Sequence, residues 1–239
     1  MPDPNDALPL TPTPTLARPL AGVTVLVVED SRFASEAMRL LCLKSGARIR
    51  RADSLQSAKR HLAVYLPSAI IIDLGLPDGS GVDLIRELAN AHTRIPAIIA
   101  TSGDDRALME ASDAGADGIL EKPIESLALF QAEVLRNLPE HQRPFGPRAV
   151  NDEIVDPDKI AFQDDLAHIA EVLNTAHDDE TVSYVALFLR GVARTAHDDD
   201  LEEAAKSLAA HQQNGAPIGS DLARVAGLLQ ERIVQSAVV

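Results

Sequence analysis

The chain has 239 residues, 46% of them apolar, enough for one or two domains with real cores. Of its net charge of −14, −11 falls from Asn151 onward, where 17 acidic residues face 6 basic ones, and a segment that acidic with no basic recognition helix argues against DNA binding, so no DNA partner is expected. No apolar stretch nears the ~20 residues of a membrane helix, the acidic, proline-rich start lacks a signal peptide's basic and apolar regions, and one cysteine forms no internal disulfide, so a cytoplasmic protein with no membrane partner is expected.

Residues 1–20 hold six prolines and three threonines with little to bury, and are expected to be a disordered tail. Strand and helix signals then alternate over 21–138. Val23-Thr24-Val25-Leu26-Val27-Val28 runs into Glu29-Asp30, and Ser68-Ala69-Ile70-Ile71-Ile72 into Asp73. Ile95-Pro96-Ala97-Ile98-Ile99-Ala100 runs into Thr101-Ser102, and Asp117-Gly118-Ile119-Leu120-Glu121 into Lys122-Pro123. Such short apolar runs suit strands buried on both faces of a parallel sheet. Helical segments are expected at 31–44, 54–66, 80–91, 104–113 and 124–138, and Cys42 is expected to be a buried residue of the first. Five βα units imply a doubly wound, five-stranded parallel sheet of flavodoxin-like order.

In such a sheet the strand ends share one edge, which here gathers carboxylates, a hydroxyl and an ammonium. Clustered carboxylates suit a hard cation such as magnesium, and a carboxylate can attack phosphorus to give an aspartyl-phosphate. Taken singly, Glu29-Asp30 could cap a helix, Asp73 a turn, Thr101 could be an ordinary strand-end residue and Lys122 a solvated one. Their joint order at successive strand ends favours a site.

The motifs Val27-Val28-Glu29-Asp30-Ser31, Ile72-Asp73-Leu74-Gly75-Leu76-Pro77-Asp78-Gly79-Ser80-Gly81, Ala100-Thr101-Ser102 and Lys122-Pro123 together resemble the receiver domain of two-component response regulators over about residues 21–138. The resemblance implies that Asp73 accepts a phosphoryl group from a sensor histidine kinase or phosphotransfer protein. It implies magnesium on Asp30, Asp73 and the Gly75 carbonyl, with Glu29 reaching it through water. Thr101 and Lys122 would contact the phosphoryl oxygens. No separate enzyme is expected, beyond a receiver that catalyses its own phosphorylation and dephosphorylation. Two positions depart from the family: Ile119 stands where a switch aromatic is usual, and Gly75 replaces a larger side chain, which implies an open phosphoryl site.

A linker rich in proline and charge is expected at 139–156 and an all-α four-helix domain at 157–239. Asp156-Pro157 signals the first helix start. Asp178-Asp179-Glu180, Asp198-Asp199-Asp200 and Ser220-Asp221 signal the others, with acids suited to helix N-termini. Apolar stripes on all four make a bundle the simplest architecture. This domain is expected to dock an unknown protein target, with homodimerisation left open. His211-Gln212-Gln213-Asn214-Gly215 weakly resembles a degenerate histidine phosphotransfer motif, in which Asn214 replaces the usual lysine. The alternative function is therefore a phosphorelay through His211. His168, His177 and His197 show no metal-ligand spacing.

Overall fold

The computed structural model describes residues 12–146, 151–175 and 178–236. Five parallel strands, β1 (Thr24–Val28), β2 (Arg48–Ala52), β3 (Ala69–Asp73), β6 (Ala97–Ser102) and β7 (Gly118–Glu121), form one sheet in the order β2-β1-β3-β6-β7. A small ribbon, β4 (Gly75–Leu76) paired with β5 (Gly79–Ser80), follows β3. This is the flavodoxin-like order, and the crevice between the carboxyl ends of β1 and β3 marks its switch point.

Alternate residues of each strand enter opposite layers, which is why the strands read as unbroken apolar runs. Val25, Val27, Ile71 and Ile99 face α1 (Arg32–Ser45) and α5 (Leu127–Asn137). Leu26, Val28, Ile70, Ile72 and Ile98 face α2 (Leu55–Leu62), α3 (Gly81–Ala89) and α4 (Asp105–Ala114). Cys42 is buried on α1, where loss of solvent pushes its thiol up to about 12. Serines cap α1, α2, α3 and α5, and Asp104 caps α4.

One helix ends earlier than its sequence pattern. The expected 54–66 segment stops at Leu62, because Pro67 disfavours helical backbone before it and the His61 carbonyl already takes the amides of Val64 and Tyr65.

A short 3-10 turn (Glu140–Gln142) follows α5. Residues 147–150 of the expected linker and 1–11 of the expected tail lie outside the described residues. The chain then returns to the sheet domain: Val155 is buried in its core, and its amide donates to the Glu125 carbonyl at 2.9 Å.

Four helices follow: α6 (Lys159–Thr175), α7 (Asp179–Thr195), α8 (Asp199–Gln213) and α9 (Gly219–Ser236). Here α6 and α8 each touch both α7 and α9, so the four close a ring around Leu166, Val185, Leu189, Leu201, Leu208 and Val225. The α6 helix starts later than the Asp156-Pro157 signal implies, since Asp158 is the residue whose carboxylate takes the Ile160 amide, at 2.9 Å. Among the described residues no helix is long and apolar enough to cross a membrane.

Candidate functional site

Asp73 closes β3, and its Cα partner across the ladder is Thr101 on β6. The Leu74 amide donates to the Thr101 carbonyl at 3.2 Å, holding the loop onto the neighbouring strand. A side chain on Gly81 would place its Cβ 2.1 Å from the Asp73 carbonyl oxygen, so only glycine lets α3 begin against the loop that carries Asp73. Asp78 takes the Leu55 and Gln56 amides at 2.8 and 2.9 Å and ties the same loop to the start of α2. From β1, Glu29 is fixed by its amide on the Ala52 carbonyl at 2.9 Å. Lys122 follows β7, with its amide on the Ser102 carbonyl at 3.0 Å and a cis peptide to Pro123.

These strand ends bring Glu29, Asp30, Asp73, Gly75 and Lys122 around one narrow cavity of about 50 Å³. The Lys122 ammonium lies 2.8 Å from Glu29 Oε2 and 3.2 Å from Asp73 Oδ1. One buried cation thus faces three carboxylates. Burial pushes the Glu29 carboxyl well above its ordinary value, more than the Lys122 charge draws it down. Burial, joined by the Asp73 charge, pushes Asp30 up to about 7. Burial works against the Lys122 ammonium, but the Asp73 and Glu29 charges outweigh it and raise its pKa.

Asp30 Oδ1 and Thr101 Oγ1, two buried oxygens in the cluster, have no hydrogen-bond partner, and Glu29 Oε2 has only the Lys122 ammonium at 2.8 Å. Ligand oxygens of Glu29, Asp30 and Asp73 all lie within 4.8 Å of one another, the one such group among the described residues. An uncompensated buried charge, an orphan carboxylate oxygen and an all-oxygen donor set fit a hard divalent cation.

Sequence reasoning missed what covers this cavity. Helix α7 lies across its mouth. The Tyr184 hydroxyl donates to Asp30 Oδ2 at 2.8 Å, and burial beside the Asp30 carboxylate keeps that phenol protonated. A Cβ on Gly75 would stand 3.4 Å from Leu187 Cβ, and one on Gly191 would stand 3.4 Å from Lys122 Nζ. The site is therefore not left open by Gly75; the space a larger side chain would fill is taken by Leu187. Arg194 donates to the Gly103 carbonyl at 2.6 Å and pairs with Glu121 at 3.2 Å, while Arg190 pairs with Asp104. The sequence holds one clue: Leu187, Phe188 and Leu189 are consecutive, so one core cannot take all three, and Leu187 lies outside the bundle core.

His211, two residues from the end of α8, binds Asp221 of α9 through Nδ1 at 2.7 Å, and Ser207 donates to the same carboxylate at 2.8 Å. His197 meets Glu125 at 3.0 Å, and His168 sets its ring 6.3 Å from that of Phe188. His177 lies outside the described residues. Ile119, half-buried, packs on the layer of α2, α3 and α4.

The response regulator receiver domain family matches residues 25–133. The chain is 34% identical over 124 residues to the KDP operon transcriptional regulatory protein KdpE of Escherichia coli, covering 52% of this chain and 54% of that protein. It is 31% identical over 146 residues to the virulence transcriptional regulatory protein PhoP of Shigella flexneri, covering 55% of this chain and 66% of that one. It thus spans about half to two thirds of these curated relatives. Among solved structures, a CheY-like response regulator receiver domain from Methylobacillus flagellatus is 32% identical with a TM-score of 0.39, covering 43% of this chain and 88% of that one. Residues 25–133 of the chain are thus a response regulator receiver domain.

Proposed function

We propose that the chain is a two-component response regulator that takes a phosphoryl group on Asp73 in a magnesium-dependent reaction and signals through protein–protein contacts of its C-terminal helices. The observation that carries the reading is the pairing of Asp73 with the buried Lys122, 3.2 Å away, at the carboxyl edge of the sheet. In this reading an Asp73 oxygen forms a bond to phosphorus as the bond from phosphorus to a histidine nitrogen of the donor protein breaks, and the electron pair stays on that imidazole nitrogen. Lys122 and the unpartnered Thr101 hydroxyl hold the transferred oxygens. Asp30, Asp73 and the Gly75 carbonyl would hold magnesium, with Glu29 nearby, and the ion would neutralise charge on the phosphoryl oxygens.

Output through a protein rests on charge: from Asn151 onward the segment carries −11 and has no basic helix. The relatives named above are called transcriptional regulatory proteins, and that activity is not carried over. Relay through His211 gains no support from its position, since the Asp221 contact accounts for it as a tether between α8 and α9.

Incubation of the whole chain with acetyl phosphate and magnesium tests the reading. Asp73→Asn abolishes labelling while the fold is kept. Labelling of that variant at the wild-type rate overturns the assignment.

A further inference from the structure

We infer that the surface beneath α7 is the docking surface of the phosphodonor protein, and that α7 is a resident competitor for it which sets the rate at which Asp73 is phosphorylated. The inference rests on Asp73 being the phosphoacceptor. In-line attack requires the donor's leaving nitrogen to stand opposite the Asp73 oxygen, across the phosphorus. β3, Thr101 and the loop before α3 close the other sides, so the donor comes through the mouth of the crevice. That mouth holds Tyr184, Leu187 and Gly191. Asp73 is 7% exposed, and the cavity left under α7 is about 50 Å³, room for an ion and a few waters. A donor side chain and α7 cannot occupy that space together.

The contact is built to separate without unfolding either partner. Leu187 is 43% exposed even when docked and belongs to neither core. The hydrogen bonds and ion pairs of α7 across the crevice run from Tyr184 to Asp30, from Arg190 to Asp104, and from Arg194 to the Gly103 carbonyl and Glu121. The bundle core around Val185, Leu189 and Val192 is untouched by release of that face. Val155 anchors the chain in the sheet domain and α6 begins at Lys159, so residues 156–158 form the natural pivot, and a swing about it also parts α6 from α1, breaking the Asp165 bonds to Ser31, Arg32 and Phe33 and the Phe33–Phe162 ring contact. Only the released fraction is competent, and the observed rate scales with it.

Two full-length variants test this with acetyl phosphate and magnesium, following label on Asp73. Leu187→Glu puts a fourth carboxylate into a crevice with Glu29, Asp30 and Asp73, drives α7 off, and raises the labelling rate about tenfold or more. The pair Gly75→Cys with Leu187→Cys sets two Cβ atoms 3.4 Å apart, at the edge of the range of about 3.5–4.5 Å that a disulfide bridges. Cys42, the one native cysteine, is buried and stays out of the exchange. The oxidised form labels about tenfold or more slower than the same protein reduced. Labelling of Leu187→Glu at the wild-type rate, or of the oxidised pair at its reduced rate, overturns the inference. Absence of label on every folded form, wild type included, instead removes the assignment of Asp73, and the inference with it.

Discussion

Asp165 Oδ2 accepts the Ser31 hydroxyl at 2.7 Å, so the residue that caps α1 is itself gripped from α6. The same carboxylate takes the Arg32 and Phe33 amides at 2.9 and 3.0 Å, and the Phe33 and Phe162 rings meet 5.4 Å apart beside it. Two of the amides that a helix start leaves unsatisfied, and the hydroxyl of its cap, are thus met by a side chain from another part of the chain. The loop so fixed is the one that carries Glu29 and Asp30.

Asp165→Ala leaves those donors buried without a partner and costs about 2–3 kcal/mol of stability. Asp165→Asn keeps an acceptor oxygen and costs less than Ala. Burial, only partly offset by the hydrogen bonds, raises the Asp165 carboxyl above its ordinary value, so ionising it in place works against folding. Urea denaturation of the three proteins at pH 7 checks the order, and an alanine variant as stable as wild type refutes it.

Lys122 and Asp30 make opposite contributions to the metal-free protein. Removing the ammonium in Lys122→Ala leaves the buried Glu29 and Asp73 carboxylates and the half-buried Asp30 uncompensated and costs about 3 kcal/mol or more at pH 7. Asp30→Asn removes one of the charges that repel one another and raises the melting temperature at pH 8. For the sign, the folded-state value of Asp30 stands at about 7, above its ordinary value, so the wild type loses stability as pH rises from about 4 through 7. The gain from Asp30→Asn therefore grows across that window. Melting curves in chelator at pH 5 and pH 8 measure it, and equal gains at both values contradict the charge argument.

The same proton competes with a cation for Asp30. Magnesium affinity falls by up to about tenfold per pH unit below 7 and levels off above it. Calorimetric titrations at pH 6, 7 and 8 read this directly; a flat profile places the cation away from Asp30.

The central strands and the site residues were legible because both follow from short-range rules. Ala69–Asp73 is buried on both faces and so reads as an apolar run, and a charge at its end has one crevice to enter. β2 was not legible, since Arg48-Ile49-Arg50-Arg51-Ala52 lies at a sheet edge and needs no apolar pattern. The cover over the site was illegible for another reason. Tyr184 and Asp30 are 154 residues apart, and nothing local to either residue specifies the other.

Asp198 joins the ends of the bundle. It caps α8 through the Leu201 amide at 3.1 Å and takes Arg232 of α9 at 2.8 and 3.2 Å. Burial raises its carboxyl, but the Arg232 hydrogen bonds, the Leu201 amide and the guanidinium charge outweigh that and hold it below the ordinary value. A depressed acid stabilises the fold above its unfolded-state value, near 4, and ceases to as pH falls through its lower folded one. Asp198→Ala costs about 1–2 kcal/mol at pH 7, and the difference from wild type closes toward pH 3. A difference that persists undiminished in acid leaves the ion pair without a role.

Duplex DNA is the last partner to be tested. The C-terminal segment, at −11, repels a polyanion at every separation within a Debye length, about 8 Å at physiological salt. Two of its six basic residues, Arg190 and Arg194, are engaged on Asp104, Gly103 and Glu121, and Arg232 is engaged on Asp198. Release of α7 frees Arg190 from Asp104, but Arg194 keeps its pair with Glu202 of α8 at 3.3 Å and the acidic charge of the bundle is unchanged. A gel shift with random duplex fragments at low salt, on wild type and on Leu187→Glu, shows no retained DNA at micromolar protein. Retention below that concentration in either protein reverses the assignment of a protein target and places a groove-reading element in the C-terminal helices.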